Sequence, residues 1–261
     1  MKFNKTAVVT GGASGIGEAT VMRFASAGWH VVIGDINASR SETVAQAARL
    51  AGAASVSVLP LDLADEASVA DFAANTYERH TAVDAVVNSG GILQNGIRFV
   101  DMPIEEFDMV WSVNVRGTLL INQAFGRRMM QAGSGSIINM CSLTTYRPSP
   151  QPAYAPAKVA LKSMTEIMAA DFGPSGVRVN AVAPGYTLTP AMQARIDAGV
   201  RDPQAILDKS AIKRLVQPAD VAEAIFFLCS EAAAAITGVV LPVDCGWLAY
   251  SSYASYASQP E

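Results

Sequence analysis

TAVVTGGASGIGEATVMRFASAG, residues 6–28, joins a short Val-rich run to a glycine loop and then to a segment with helical spacing. Gly11, Gly15 and Gly17 let the backbone turn sharply and approach a pyrophosphate closely, while free amides at the helix start favour its negative charge. A glycine loop alone is a weak signal, but its place between a strand and a helix marks a dinucleotide site. The next Val-rich run, HVVIGD, ends in Asp35, 18 residues after Gly17. A carboxylate there accepts hydrogen bonds from the adenosine ribose hydroxyls and repels a 2′-phosphate. Ile36 and Asn37 follow, with no Arg or Lys adjoining in sequence, so NAD is expected over NADP.

Outward from this unit the same alternation continues. Apolar runs recur at SVSVLPLD, DAVVNSG, GSIINMCS, VRVNAVAPG and GVVLPVD, with helical spacing between them, including one long segment, FDMVWSVNVRGTLLINQAFGRRMMQAG. Strand and helix in turn predict an α/β, doubly wound Rossmann fold: about seven parallel strands, helices on both faces, a single domain over residues 1–249. Ligands in such sheets bind beyond the carboxyl ends of the strands. Two stretches break the pattern. Residues 186–216 form a long excursion of the kind that covers a binding site. The tail 250–261, with Tyr250, Tyr253 and Tyr256, reads as a frayed terminus or as packing against a neighbouring subunit.

Hydrophobic residues make up 51% of the 261 and charged ones 16%, a balance suited to a sheet buried on both faces. A net charge of −4 supplies no basic footprint for nucleic acid or anionic lipid. The amino-terminal residues carry no long apolar region before a cleavage site and no run is long enough to span a membrane, so a soluble, cytoplasmic protein is expected. Cys141, Cys229 and Cys245 are odd in number and far apart, and His30 and His80 are the only histidines. Neither a disulfide framework nor a protein-bound metal is expected.

Tyr154 and Lys158, in YAPAK, stand four residues apart, which stacks a phenol and an ammonium on one face of a helix. Pro156 falls in the first turn, where no donor is lost, and KVALKSMTEIMAADF continues with helical periodicity. An unperturbed tyrosine titrates near about 10, and a fixed cation nearby favours its phenolate. The pair reads as a proton-transfer unit.

With the glycine loop, Asp35 and YAPAK in place, the chain resembles the classical short-chain dehydrogenase/reductase family from Thr6 to about Trp247. TGGASGIG matches its TGxxxGxG, Asp62-Leu63 its adenine contact, and NAVAPGYTLT, Asn180 to Thr189, its NxxxPGxxxT. The resemblance implies a tetrad of Asn114, Ser142, Tyr154 and Lys158. In it Tyr154 acts as acid/base, Ser142 orients the substrate oxygen, Lys158 lowers the phenol pKa and holds the nicotinamide ribose, and Asn114 anchors a relay water. It further implies cofactor contacts at Gly11, Ser14, Gly15, Ile16, Gly17, Asp35, Ile36, Asp62, Leu63, Asn88, Gly90, Pro184, Gly185, Thr187 and Thr189. Substrate contacts are implied at Gln94, Asn95, Leu143, Thr144, Gln151, Tyr186, Met192 and Arg195, beside Ser142 and Tyr154.

Four departures stand out. Asn88-Ser89-Gly90-Gly91 replaces the family's NNAG, the Ser142–Tyr154 loop is one residue shorter than is common, Cys245 occupies a usual glycine position, and Cys141 adjoins the catalytic serine. The expected activity is NAD-dependent interconversion of a secondary alcohol, favouring a polyol, sugar or small hydroxy compound, and its ketone. The alternatives are a ketoreductase of 3-oxoacyl, carrier-protein-bound substrates and a non-catalytic NAD-binding protein. Family members are usually tetramers, so a homotetramer is expected.

Overall fold

In the computed structural model, which describes residues 5–254, seven strands pair in parallel in the order β3-β2-β1-β4-β5-β6-β7. They are β1 Thr6–Thr10, β2 His30–Asp35, β3 Ser55–Pro60, β4 Ala85–Asn88, β5 Gly135–Met140, β6 Val177–Pro184 and β7 Val240–Val243. The order reverses between β1 and β4, and the crevice beyond those strand ends is where a doubly wound sheet takes its ligand. The apolar runs are continuous because successive residues serve opposite faces. Val8, Val32, Val86 and Ile137 join one core with Phe72 and Phe125, whereas Val9, Ile33, Val87 and Ile138 join another with Phe24 and Val44.

Helices α1 (Gly15–Ser26) and α2 (Ala38–Leu50) cover the second of these faces, and α3 (Glu66–Arg79) covers the first. The long segment after β4 is not one helix. α4 (Ile104–Trp111) passes through a π-helical turn, Ser112–Gly117, into α5 (Thr118–Ala132). Gly117 explains part of this: a Cβ there would stand 2.5 Å from the Leu63 carbonyl oxygen, so the chain runs hard against the β3–α3 loop. α6 (Tyr154–Phe172) follows β5 and packs on the face of α3 and α5.

The excursion after β6 carries two short helices, α7 (Pro190–Asp197) and α8 (Pro203–Asp208), each opened by proline at its first turn. α9 (Pro218–Cys229) then returns beside α1. The tail is not frayed as far as it is described, since Trp247–Tyr253 form α10. Trp247 is buried with Leu143 and Ile206, against Tyr186, Met192, Leu215 and Leu248, so this segment packs on the chain's own excursion after β6. Tyr256 lies outside the described residues. Among the described residues no helix is long and apolar enough to cross a membrane.

Candidate active site

A cleft of about 690 Å³ runs across the carboxyl ends of the strands, from the glycine loop to the lid. Its adenosine end is built by sharp turns. Gly11 has φ +64, and a Cβ on it would meet the Gly90 Cα at 2.5 Å; on Gly17 it would meet the Gly11 carbonyl oxygen at 2.0 Å. These contacts press two strand-end loops together under the start of α1. The Ser14 side chain makes no capping bond to that start, so the first amides of α1 keep their capacity for an anion. Asp35 is held by the amides of Ala13 (3.0 Å) and Asn37 (2.9 Å). The fold does bring a cation near: Arg40 donates to the Ala13 carbonyl at 3.2 Å, but its other end is paired with Glu18. The cradle and the fixed carboxylate fit a dinucleotide.

At the middle of the cleft stand Ser142, Tyr154 and Lys158. Ser142 closes β5 and starts a short turn, its hydroxyl accepting from the Thr144 amide at 3.3 Å. Burial pushes the Tyr154 phenol up to about 12, against the pull of a hydrogen bond with Ser142 and the charge of Arg195. Lys158 Nζ sits 5.3 Å from the Tyr154 ring centre and donates to the Met140 carbonyl at 2.7 Å. Its own pKa is lowered to about 8 by burial. In the protein by itself the phenol is raised, and the groups that lower it are Ser142 and Arg195. Desolvation dominates, and Lys158 is itself half-discharged near pH 8.

Five expected residues lie off the cleft wall. Gln94, expected at the substrate, is 1% exposed, does not line the cleft and caps the start of α6. Its Oε1 accepts from both the Ala153 and Tyr154 amides at 3.0 Å, and its backbone carbonyl accepts from Gln151 Nε2 at 2.6 Å. Asn88 faces inward, donating to Asn122 (2.7 Å) and Asn139 (3.0 Å) in a buried amide network that reaches Thr165. Asn114 sits in the π-helical turn with both ends of its amide spent on Ile92, accepting from its N–H at 2.8 Å and donating to its carbonyl at 2.9 Å. Gly17 likewise packs behind the loop it shapes. Asn95 also stands off the wall, its Oδ1 accepting from Arg195 at 2.9 Å.

The remaining expected residues line the cleft: Gly11, Ser14, Gly15, Ile16, Asp35, Ile36, Asp62, Leu63, Gly90, Pro184, Gly185, Thr187 and Thr189 along the cofactor side, and Leu143, Thr144, Gln151, Tyr186, Met192 and Arg195 toward the lid. Sequence reasoning missed Arg147, Arg201 and Trp247, which also line it. Arg147 lies five residues beyond Ser142 in the same loop, a proximity that could have flagged it. Trp247 carried no signal, because only tertiary folding brings the tail to the lid. Among the described residues no three His, Cys, Asp or Glu side chains gather as a metal site.

A family model described as enoyl-(acyl carrier protein) reductase matches residues 11–248. A cis-4-hydroxycyclohexanecarboxylate dehydrogenase from Sinomonas cyclohexanicum is 38% identical over 246 residues, 94% of this chain and 97% of its own length. A 2-(R)-hydroxypropyl-CoM dehydrogenase from Xanthobacter autotrophicus is 36% identical, over 93% of this chain and 98% of its own. Among solved structures, a ribose-5-phosphate isomerase from Brucella melitensis 16M superposes with a TM-score of 0.93 at 37% identity, covering 99% of this chain and 98% of that one. An NAD+-bound xylitol dehydrogenase gives 0.87 at 27%, covering 93% and 99%. ElxO with NADP bound gives 0.88 at 28%, covering 94% and 99%.

Proposed function

The chain belongs to the short-chain dehydrogenase/reductase family, and from that membership we propose that it is an NAD-dependent dehydrogenase interconverting a secondary alcohol and its ketone. The observation that carries the reading is that Ser142, Tyr154 and Lys158 share one cleft with the glycine loop and Asp35. When bound, NAD supplies the hydride acceptor. Tyr154 takes the proton of the substrate hydroxyl at its phenolic oxygen, Ser142 holds that hydroxyl by a hydrogen bond, and Lys158 positions the cofactor's ribose beside them. Asn114 acts by clamping the Ile92 backbone beside the cleft. NAD is favoured over NADP because the Asp35 carboxylate, held by two backbone amides, would repel a 2′-phosphate, and Arg40, which reaches the same loop, is committed to Glu18. The relatives act on secondary alcohols by their names, which supports the same direction for this chain.

The description of the matching family model favours a second reading, reduction of a carrier-protein-bound acyl substrate. The Asp35 carboxylate and the absence of a concentrated basic patch in the sequence weigh against it. An aldose–ketose isomerisation, suggested by the Brucella melitensis relative, would leave the dinucleotide cradle without a use. A homotetramer is supported by exposed apolar residues on α6, Val159 at 47% and Ile167 at 64%.

The test is NADH formation at 340 nm across polyols, sugars, hydroxy acids and cyclic alcohols, with NAD and NADP in parallel. NAD-dependent oxidation is expected, and Tyr154→Phe should lower kcat by about 10²–10⁴-fold while NAD affinity is kept. Equal turnover by Tyr154→Phe, or oxidation with NADP alone, would sink the reading.

A further inference from the structure

We propose that Arg147, Arg201 and Arg195 form a subsite for an oxyacid anion, a carboxylate or sulfonate, so that the substrate is an anionic secondary alcohol. This rests on the alcohol-dehydrogenase reading of the cleft and narrows it. The three arginines line the cleft together with the residues after β5 and β6, and among the described residues the only carboxylates on its wall are Asp35 and Asp62, which belong to its adenosine end. Among the described residues none of the three arginines has a carboxylate at ion-pair distance. Arg40, Arg49, Arg116 and Arg214 are each paired, with Glu18, Glu42, Glu66 and Asp220, while Arg79, Arg127, Arg128 and Arg178, which also lack an ion pair among the described residues, lie away from the cleft wall.

The lid arginines are instead held by neutral groups. Arg147 lies 4.5 Å over the Trp247 ring and donates to Ser251 Oγ at 2.7 Å. Arg195 donates to Asn95 Oδ1 at 2.9 Å. After α7 the chain turns back on itself, and the amides of Val200 (2.9 Å) and Arg201 (3.1 Å) both donate to the Arg195 carbonyl, which draws the second guanidinium's residue to the first. Each guanidinium has five donors in a fork that matches an oxyanion, and the contacts above leave most of them over. Cations on one wall without counter-charge, Arg195 and Arg201 partly buried and Arg147 exposed at the rim, raise the local potential and draw an anion.

Two further observations point to a ligand there. Thr144 Oγ1 and Trp247 Nε1 are buried without a hydrogen-bond partner among the described residues, and both residues line the cleft. Arg195 lines the same cleft as Ser142 and Tyr154, and its charge opposes the upward shift that burial gives the Tyr154 phenol. Leu143, Tyr186 and Met192 line the space between and suit a hydrocarbon body.

The experiment measures calorimetric binding to the NADH-loaded protein of two matched pairs, cyclohexanecarboxylate against cyclohexanecarboxamide and propane-1-sulfonate against propane-1-sulfonamide. NADH formation from 4-hydroxycyclohexanecarboxylate and its amide is followed separately. In at least one pair the anion should bind tenfold or more tightly, with the advantage shrinking at high salt and at least fivefold in Arg195→Gln, Arg201→Gln or Arg147→Gln. Equal binding within both pairs, or a preference untouched by all three substitutions, overturns the subsite, and oxidation of the amide alone would then leave the dehydrogenase reading standing. Anion preference lost in the variants, with neither alcohol oxidised by NAD or NADP, upholds the subsite and overturns the dehydrogenase reading.

Discussion

Lys158 shows how one side chain serves the site at the expense of the fold. It is buried, bonded to the Met140 carbonyl, and its pKa is lowered from 10.5 to about 8. Between those values the unfolded chain binds a proton that the native chain does not, so this residue makes stability rise with pH from about 8 to 10.5. Below pH 8 the full cost of the buried charge is present. Lys158→Met should therefore raise stability at pH 7 by about 1–2 kcal/mol, the relief of a shift of that size less the lost hydrogen bond. Urea unfolding at pH 7 and at pH 10 checks it: the gain should shrink at the higher pH, while turnover is lost at both. Cys245 is a second case. It is the one non-glycine residue with positive φ (+55°) among those described, which gives a physical reason for the glycine that the family usually keeps there. Cys245→Gly should leave stability within about 0.5 kcal/mol of the parent or raise it, because relief of the left-handed strain offsets added chain entropy. Cys245→Val, β-branched at the same φ, should cost about 1–2 kcal/mol in the same assay.

At the scale of elements, the helix that carries Tyr154 and Lys158 has no cap of its own. Ala153 at its start offers no side-chain acceptor, and the first amides are satisfied by Gln94 from the loop after β4. One residue thereby joins the β4 loop, the Ser142–Tyr154 loop through its backbone carbonyl and Gln151, and the start of α6 through its side chain. Gln94→Ala leaves two buried amides unpaired and should cost about 2–4 kcal/mol. Because the freed helix start moves the phenol, kcat should fall several-fold more than KM changes; a loss of stability with intact kcat would reduce Gln94 to a purely structural part. The π-helical turn Ser112–Gly117 does a related job. It rotates Asn114 onto Ile92, an orientation that a regular helix through the same residues would not give. Helical periodicity in FDMVWSVNVRGTLLINQAFG could not reveal it, since one inserted residue leaves the apolar spacing on either side unchanged.

For the whole molecule, two apolar cores on opposite faces of one sheet account for the monomer, yet Val159 and Ile167 on α6 remain exposed. A side face that keeps large apolar residues in water calls for a partner. The expected sedimentation mass is that of four chains, and Ile167→Asp should shift the distribution to smaller species without unfolding the protein. A parent chain that sediments as a monomer would remove the tetramer. The C-terminal segment adds to this picture. Its described part folds back as α10, where Trp247 meets Tyr186 edge-on at 5.4 Å, so the lid rests on the chain's own tail.

How far each level was legible follows from the range of the forces that set it. The alternation of Val-rich runs with helical spacing determined the parallel sheet, because the period of burial along a strand or helix is a local property. The glycine loop, Asp35 and the Tyr154–Lys158 spacing were legible for the same reason: each is a short motif whose geometry is set within one turn or one strand end. The direction of the side chains that tertiary packing turns was not legible. Gln94, Asn88 and Asn114 read as site residues by family resemblance, and only the assembled fold spends their amides on Ala153 and Tyr154, on Asn122 and Asn139, and on Ile92. Likewise the pKa of Tyr154 depends on how much water is excluded around it, and the cleft wall shared by Arg147, Arg195 and Arg201 joins a loop after β5 to a segment some fifty residues away. Burial and long-range charge are sums over the whole molecule, and no local window of sequence contains them.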